Sequence, residues 1–313
     1  MRSPENTEPP ELTEVIARLA ALLGPRSGTV RQLDRGITHR SYRVTFGGTD
    51  YAVQLSGKRS AQLGIDRESE CLANTRAGEL GIAPPVAAML HDPHCLVTAF
   101  PASHPVEAAE LSRPERLTEV ARALRAFHDS GLELPSSFDS FEVVERYAGL
   151  ATGLGRELPS DYGPVLERAR TVRRAFRGAD GHGPVPCHND LITANLIAAE
   201  GRLLIADWEY AGMGDPFFEL ANLSANNGLG REAEERLLEI YLGQPATPGQ
   251  KARIMLMRFM SDFREAMWGI AQDAISEVPE VDFGDYAARH FQRLRATDAD
   301  PRFETSLAEV SAS

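Results

Sequence analysis

Lysine is almost missing: Lys58 and Lys251 are the only two among 33 basic residues, so any lysine-dependent chemistry has two candidates. Cysteine is scarce as well. Cys71, Cys95 and Cys187 are odd in number, widely spaced and form no C-x-x-C pair, which argues against a disulfide framework or a zinc site and fits a reducing compartment. No stretch approaches the roughly 18 apolar residues that a membrane span needs. Residues 1–10 are polar and proline-rich, without the apolar core of an export signal, so a cytoplasmic protein without membrane insertion is expected. Basic charge is also short. The 33 Lys and Arg face 45 Asp and Glu, and the net charge of -12 has the wrong sign for tracking nucleic-acid phosphates. A cationic small molecule suits such a field better.

What the chain does contain is enough for one large or two modest cores: 313 residues, 42% hydrophobic and 25% charged. Leu12, Val15, Ile16, Leu19 and Leu23 recur at helical spacing and stop at Gly24-Pro25. Tyr42, Val44 and Phe46 alternate with polar residues, a Gly47-Gly48 turn follows, and Tyr51, Val53 and Leu55 resume the alternation, which predicts a hairpin. Asp66 can cap a helix running to about Leu80, and residues 96–100 read as a strand ending at Pro101. Beyond Ser112, which with Glu115 has the spacing of a capping box, the pattern turns helical over 231–243, 248–272 and 283–296. Only 184–207 interrupts it with short apolar runs. The expected layout is a flexible tail at 1–10, a strand-rich small lobe at 11–100, a mainly helical lobe at 101–300 and a C-terminal tail at 301–313. The cleft between two lobes is the default ligand site.

The interrupting segment carries the chemistry. It reads Pro186-Cys187-His188-Asn189-Asp190-Leu191-Ile192-Thr193-Ala194-Asn195, and twelve residues after Asn195 an apolar run ends in Asp207-Trp208-Glu209. A loop with Asp190 and Asn195, joined by a second carboxylate delivered by a strand, is the set that phosphoryl transfer requires. One carboxylate accepts the hydroxyl proton; the Asn and the other carboxylate hold Mg²⁺ on nucleotide phosphates. His188 reads as a brace for the loop, since its place before the Asp demands no proton transfer.

On these residues the sequence resembles the aminoglycoside phosphotransferase and choline kinase superfamily, and within it the choline and ethanolamine kinase branch with its LicA-like bacterial members. The resemblance spans about Leu33 to Leu294. Its specific parts are Gly36-Ile37-Thr38-His39-Arg40-Ser41-Tyr42, Gly64-Ile65-Asp66-Arg67-Glu68, Gly81-Ile82-Ala83-Pro84-Pro85, the loop 188–195, Asp207-Trp208-Glu209-Tyr210 and Trp268-Gly269-Ile270-Ala271-Gln272. It implies an α+β fold like that of the protein kinases, with a small antiparallel-sheet N-lobe that binds nucleotide and a larger helical C-lobe holding catalytic loop, metal ligands and acceptor site. It also implies ATP as co-substrate, Mg²⁺ as cofactor and a small cationic alcohol, choline or ethanolamine, as acceptor. Asp190 takes the catalytic-base position, and Asn195 and Asp207 the metal positions. Gly36, Thr38 and His39 belong to the hairpin loop over the phosphates, Ala52 covers adenine, and residues around Phe100 form the hinge. Tyr210 and Trp268 match the cage for the ammonium group.

Three places depart from the pattern. Gln54 stands where the family carries a phosphate-clamping cation, and an amide offers only neutral donors. Glu68, the expected helix partner of that cation, therefore lacks one, and Lys58 or Arg59 are candidates to fill in. Around the cage, Glu265 replaces a frequent Trp and Asn226 a frequent Glu. The alternatives are an aminoglycoside, thiamine or sugar phosphotransferase on the same fold, and a nucleotide-binding pseudokinase. The sequence sets no oligomeric state.

Overall fold

The computed structural model describes residues 9–33, 38–57, 59–176, 183–199, 201–276 and 281–312. Gly36 and Lys58 lie outside them. The small lobe runs α1 (Pro10–Leu23), β1 (Arg26–Leu33), β2 (His39–Phe46), β3 (Thr49–Ser56), α2 (Arg67–Glu79), β4 (Val86–His91) and β5 (His94–Ala99). Its antiparallel sheet has the order β1-β2-β3-β5-β4, with Ser41 opposite Gln54 and Ala52 opposite Thr98. Alternation along the strands divides its two faces. Tyr42, Val44, Phe46, Val53 and Leu55 pack under the apolar stripe of α1, Leu12, Val15, Ile16 and Leu19. His39, Ser41, Arg43, Ala52, Gln54 and Thr98 face the other way, into the cleft.

The large lobe runs β6 (Ser103–Pro105), α3 (Ala108–Leu111), α4 (Pro114–His128), β7 (Ser137–Phe138), α5 (Ser140–Gly153), α6 (Tyr162–Phe176), β8 (Val185–Cys187), β9 (Leu196–Ala199), β10 (Arg202–Ile205), β11 (Gly212–Gly214), α7 (Pro216–Asn226), α8 (Arg231–Leu242), α9 (Pro248–Ile275), α10 (Phe283–Asp298) and α11 (Arg302–Ser311). Its centre is the 28-residue α9, started by a capping box in which Thr247 accepts from the Gln250 N–H at 3.2 Å and Gln250 accepts from the Thr247 N–H at 3.0 Å. From Phe259 to Gln272 every residue of α9 is buried, because α5, α7, α10 and α11 pack around it. A helix buried on all sides tolerates charge only where it is paired, and this stretch of α9 carries three such charges, Asp262 against His290 and Arg293, and Arg264 beside Glu265. The short runs in 184–207 form β8, β9 and β10, set in two three-stranded sheets, β10-β9-β6 and β7-β11-β8.

Two boundaries of the sequence reading need correction. Residues 301–313 are not a tail, since α11 docks on α9 through Phe303 and Val310, with the Phe303 and Phe259 rings 5.5 Å apart. The spacing of Phe303, Ser306 and Val310 already makes one helical face. Ser112 forms no capping box: α4 starts at Pro114 with no side-chain cap, and the Ser112 hydroxyl donates back to the Ala108 carbonyl at 3.2 Å, closing α3. Proline at the first helical position sets this start by its fixed φ. The expected helix from Asp66 is α2, with Asp66 accepting from the Ser69 N–H.

The seating of α10 on α9 has a sharp test at Gly269, where a Cβ would lie 3.1 Å from the Phe283 carbonyl oxygen, 3.1 Å from the Tyr286 ring and 3.2 Å from Ala287 Cβ. Gly269→Val is expected to lose about 1–3 kcal/mol of stability in chemical denaturation, overpacking outweighing the gain in backbone order. An unchanged midpoint would mean that the two helices are not in contact there.

Candidate active site

The loop between β8 and β9 is held from below by a buried anion. Glu219 on α7 accepts from the backbone N–H groups of His188, at 2.5 Å, and Asn189, at 2.8 Å, through one carboxylate oxygen, and its other oxygen meets His128 Nε2. Burial pushes against ionisation, yet the His128 contact and these N–H groups hold Glu219 below the ordinary carboxylate range. The clamp sustains a left-handed backbone at Asn189, φ 68°, a conformation Asn tolerates better than most residues. His188 is the brace that its position suggested. Its Nε2 bonds the Ala206 carbonyl at 2.9 Å, its Nδ1 accepts the Asp190 N–H at 3.2 Å, and burial lowers its pKa, so a neutral ring fits both contacts.

Asp190 emerges from this frame at the lobe boundary. Its Oδ1 accepts from Arg264 Nη1 at 3.0 Å and its Oδ2 from Asn195 Nδ2 at 3.3 Å, so helix and loop together set its rotamer. Burial raises its pKa to about 6, against the lowering pull of Arg264. A carboxylate in that range suits proton transfer near neutrality. Asn195 Nδ2 also donates to the Asp190 carbonyl at 2.9 Å, which leaves its amide oxygen for the cleft.

Asp207 follows β10 with φ 65° and lines the same cavity as Asn195. Burial raises its pKa to about 7; His39 opposes that, and the Glu209 and Asp190 charges add to it. Its Oδ1 is buried and accepts no hydrogen bond, with His39 Nδ1 3.9 Å away. An amide oxygen and a carboxylate oxygen that accepts no hydrogen bond, at one mouth, are the donors that a hard divalent cation such as Mg²⁺ prefers, so the residues fit that ion. Glu209 does different work: it ties the lobes together. The Thr38 hydroxyl donates to it, His39 Nδ1 lies 3.5 Å away, and Arg67 Nη1 lies 3.8 Å away.

Between the small-lobe sheet and the loop lies a cavity of about 480 Å³ whose walls include His39, Ala52, Gln54, Phe100, Asn195 and Asp207. Arg43 stacks on the Phe100 ring at 5.1 Å, but the Phe100 N–H is already given to the Asp50 carbonyl at 3.0 Å, so it is not available to a base edge. Glu68 is exposed on α2; the glutamate that α2 buries is Glu70, paired with Arg67 at 2.8 Å. Helical periodicity decides this, because the buried face of α2 runs through Ser69, Glu70, Ala73, Asn74 and Ala77. Arg59 does not fill in for the missing cation either, since its Nη1 donates to the Ile275 carbonyl at 2.9 Å, at the end of α9. The group beside Gln54 is His39, with Nε2 3.3 Å from Gln54 Nε2. Burial opposes its charge, but Asp207 and Glu209 raise its pKa to about 9.

The structure does bring the four acceptor candidates together, though not as an open cage. Tyr210 and Trp268 are joined by a 2.8 Å bond from Trp268 Nε1 to the Tyr210 hydroxyl, and the Arg264 guanidinium covers the Tyr210 ring at 4.7 Å. Glu265 accepts from Arg264 at 2.6 Å, Asn226 at 3.1 Å, Asn222 at 3.3 Å and Tyr286 at 2.8 Å. Burial works against its charge, yet Arg264 and His290 hold its pKa near 2. Glu265 is thus paired with Arg264, and Asn226 donates to Glu265 and not to Arg264. Sequence reasoning passed over Arg264, Glu219 and Glu70, and the usable signal was a charge at a core-facing helical position.

Removing the Glu219 carboxylate by Glu219→Ala leaves His128 and two backbone donors buried without a partner, and is expected to cost about 3–5 kcal/mol in urea unfolding. The pH dependence follows from a depressed pKa: the contribution is complete above the unfolded value of 4.5 and is lost as pH falls through the folded one. The difference between wild type and variant therefore narrows only in acid; a gap that is flat down to low pH would contradict an ionised Glu219.

The model of the phosphotransferase enzyme family matches residues 29–253. LicA of Haemophilus influenzae is 25% identical over 262 residues, 81% of this chain and 75% of that protein. A crystal structure of a choline/ethanolamine kinase family protein from Mesorhizobium loti is 28% identical with a TM-score of 0.82, covering 97% of this chain and 100% of that one. The crystal structure of the choline kinase LicA from Streptococcus pneumoniae superposes with a TM-score of 0.77 at 23% identity, over 91% of this chain and 98% of that one. With the two-lobe fold and the converging Asp190, Asn195 and Asp207, this chain belongs to the phosphotransferase enzyme family, on its LicA-like branch, and is a small-molecule kinase.

Proposed function

We propose that this kinase transfers the γ-phosphoryl group of ATP, with Mg²⁺, to the hydroxyl of a small alcohol. The observation that carries the reading is the convergence of Asp190, Asn195 and Asp207 at one lobe boundary, the first two on a loop whose backbone is held by Glu219 and His188. Asp190 is the base: its carboxylate is held by Arg264 and Asn195, and a pKa raised to about 6 lets it take the hydroxyl proton. Asn195 and Asp207 are the residues that would hold the metal, which when bound neutralises charge on the phosphate oxygens. Ala52 and Phe100 line the base-binding end of the cavity, and His39 beside Gln54 supplies the positive charge that the amide lacks. The acidic balance of the chain and the choline- and ethanolamine-kinase names of its relatives support a small amino alcohol as acceptor. An aminoglycoside, thiamine or sugar is the second reading, favoured by the changes at Asn226 and Glu265.

The test is ATP turnover with Mg²⁺ against choline, ethanolamine, thiamine and several aminoglycosides. Asp190→Asn is expected to lower kcat by about 100- to 10,000-fold with nucleotide binding retained. Asp207→Ala should abolish turnover and weaken metal-nucleotide binding as well. Wild-type rates in either variant would remove the mechanism.

Gln54→Arg separates the kinase from a pseudokinase with a missing clamp. A guanidinium introduced beside His39 meets a positive charge already in place, so affinity for Mg²⁺-nucleotide, measured by calorimetry, is expected to be unchanged or weaker. A large gain would show that the clamp is absent.

A further inference from the structure

We propose that the base of the nucleotide is read here through hydrogen-bond acceptors alone, because Pro101 leaves the wall at its edge without a main-chain donor, and that guanine nucleotides are therefore bound about as well as adenine ones. This deepens the kinase reading and rests on it. The strand end that borders the cavity is Thr98-Ala99-Phe100-Pro101. Its N–H groups are all accounted for. Ala99 gives its own to the Pro85 carbonyl at 2.9 Å, and Phe100 to the Asp50 carbonyl at 3.0 Å. Main-chain groups alternate sides along a strand, so Thr98 points the way Phe100 does, back to Ala52 on β3. Pro101 has no N–H. The next residue on the cavity wall, Ser103, already belongs to β6, opposite Ala199. The carbonyls of Phe100 and Pro101, by contrast, accept no backbone hydrogen bond among the described residues.

Side chains do not replace the missing donor. Arg43 spends its Nε and Nη2 on Asp50 and lies over the Phe100 ring. The Thr98 hydroxyl can donate or accept, so it favours neither purine. Ala52, a small apolar wall residue, does not distinguish them either. What remains is the chemistry of the two edges. Adenine presents one donor, the 6-amino group, next to the ring acceptor N1, and at this wall N1 finds no N–H. Guanine presents two adjacent donors, N1–H and the 2-amino group, which suit two neighbouring carbonyls. An acceptor taken out of water and left without a donor loses the hydrogen bond it had there, so adenine gains nothing over guanine.

Three nucleotides isolate the edge: ATP, GTP, and 1-deaza-ATP, in which a C–H replaces the N1 acceptor. Binding of each with Mg²⁺ is measured by calorimetry on the full chain, and phosphoryl transfer from each to a panel of alcohols is recorded separately. The expected result is that 1-deaza-ATP binds within about threefold of ATP, and GTP within about tenfold. Pro101→Ala, which returns one N–H to the wall, is expected to tighten ATP by about three- to tenfold, the size of one net hydrogen bond, and to leave 1-deaza-ATP where it was. In wild type, a loss beyond about threefold on removing N1, or a preference for ATP over GTP beyond about tenfold, overturns the proposal. So does a Pro101→Ala variant that binds ATP and its 1-deaza analogue equally. The wild-type series decides even if the variant fails to fold. Base-indifferent binding without transfer to any alcohol would sink the kinase reading and leave the donor-free wall standing; transfer from ATP with strict dependence on N1 would do the reverse. No binding of any of the three would overturn both.

Discussion

One buried carboxylate carries the architecture of the site. Glu219 lies inside the helical lobe, where an unpaired charge is prohibitive, and it is satisfied only because the loop after β8 turns two N–H groups toward it while α4 supplies His128. That pairing fixes the backbone through Asn189, and the next residue, Asp190, is thereby presented at the cleft. The loop cannot relax without stranding the anion, so the position of the proposed base is tied to the stability of the lobe.

From Asp190 the polar network runs outward in two directions. Through Arg264 it reaches α9, where Glu265 collects donors from α7 and α10 and keeps the guanidinium rigid. Through Asn195 it reaches the proposed metal position, which Asp207 shares. Because Arg264 shares its charge between two carboxylates, this end of the site is less negative than the number of acidic residues suggests.

Glu209 plays the joining role for the lobes, held by Thr38 and His39 from the strands and facing Arg67 from α2. Beside Gln54, on the neighbouring strand, His39 is flanked by Asp207 and Glu209, whose charges raise its pKa to about 9 against the effect of burial.

The sequence alone determined most local elements and the spacing of the candidate reacting set. Alternation at Tyr42, Val44 and Phe46 and the helical stripe of α1 follow from periodicities of two and 3.6 residues. The spacing of Asp190, Asn195 and Asp207 is legible because phosphoryl transfer needs those groups in one loop and one strand end. What surrounds them was not legible. Glu68 and Glu70 differ by two positions in the chain, and only packing of α2 shows which is buried. Arg264, Glu219 and His39 look like surface charge in a linear string; they become a clamp, an anchor and a cation because folding removes them from water and leaves each a partner from a distant segment. Interaction between charges depends on distance and on solvent exclusion, and both are set by the tertiary structure.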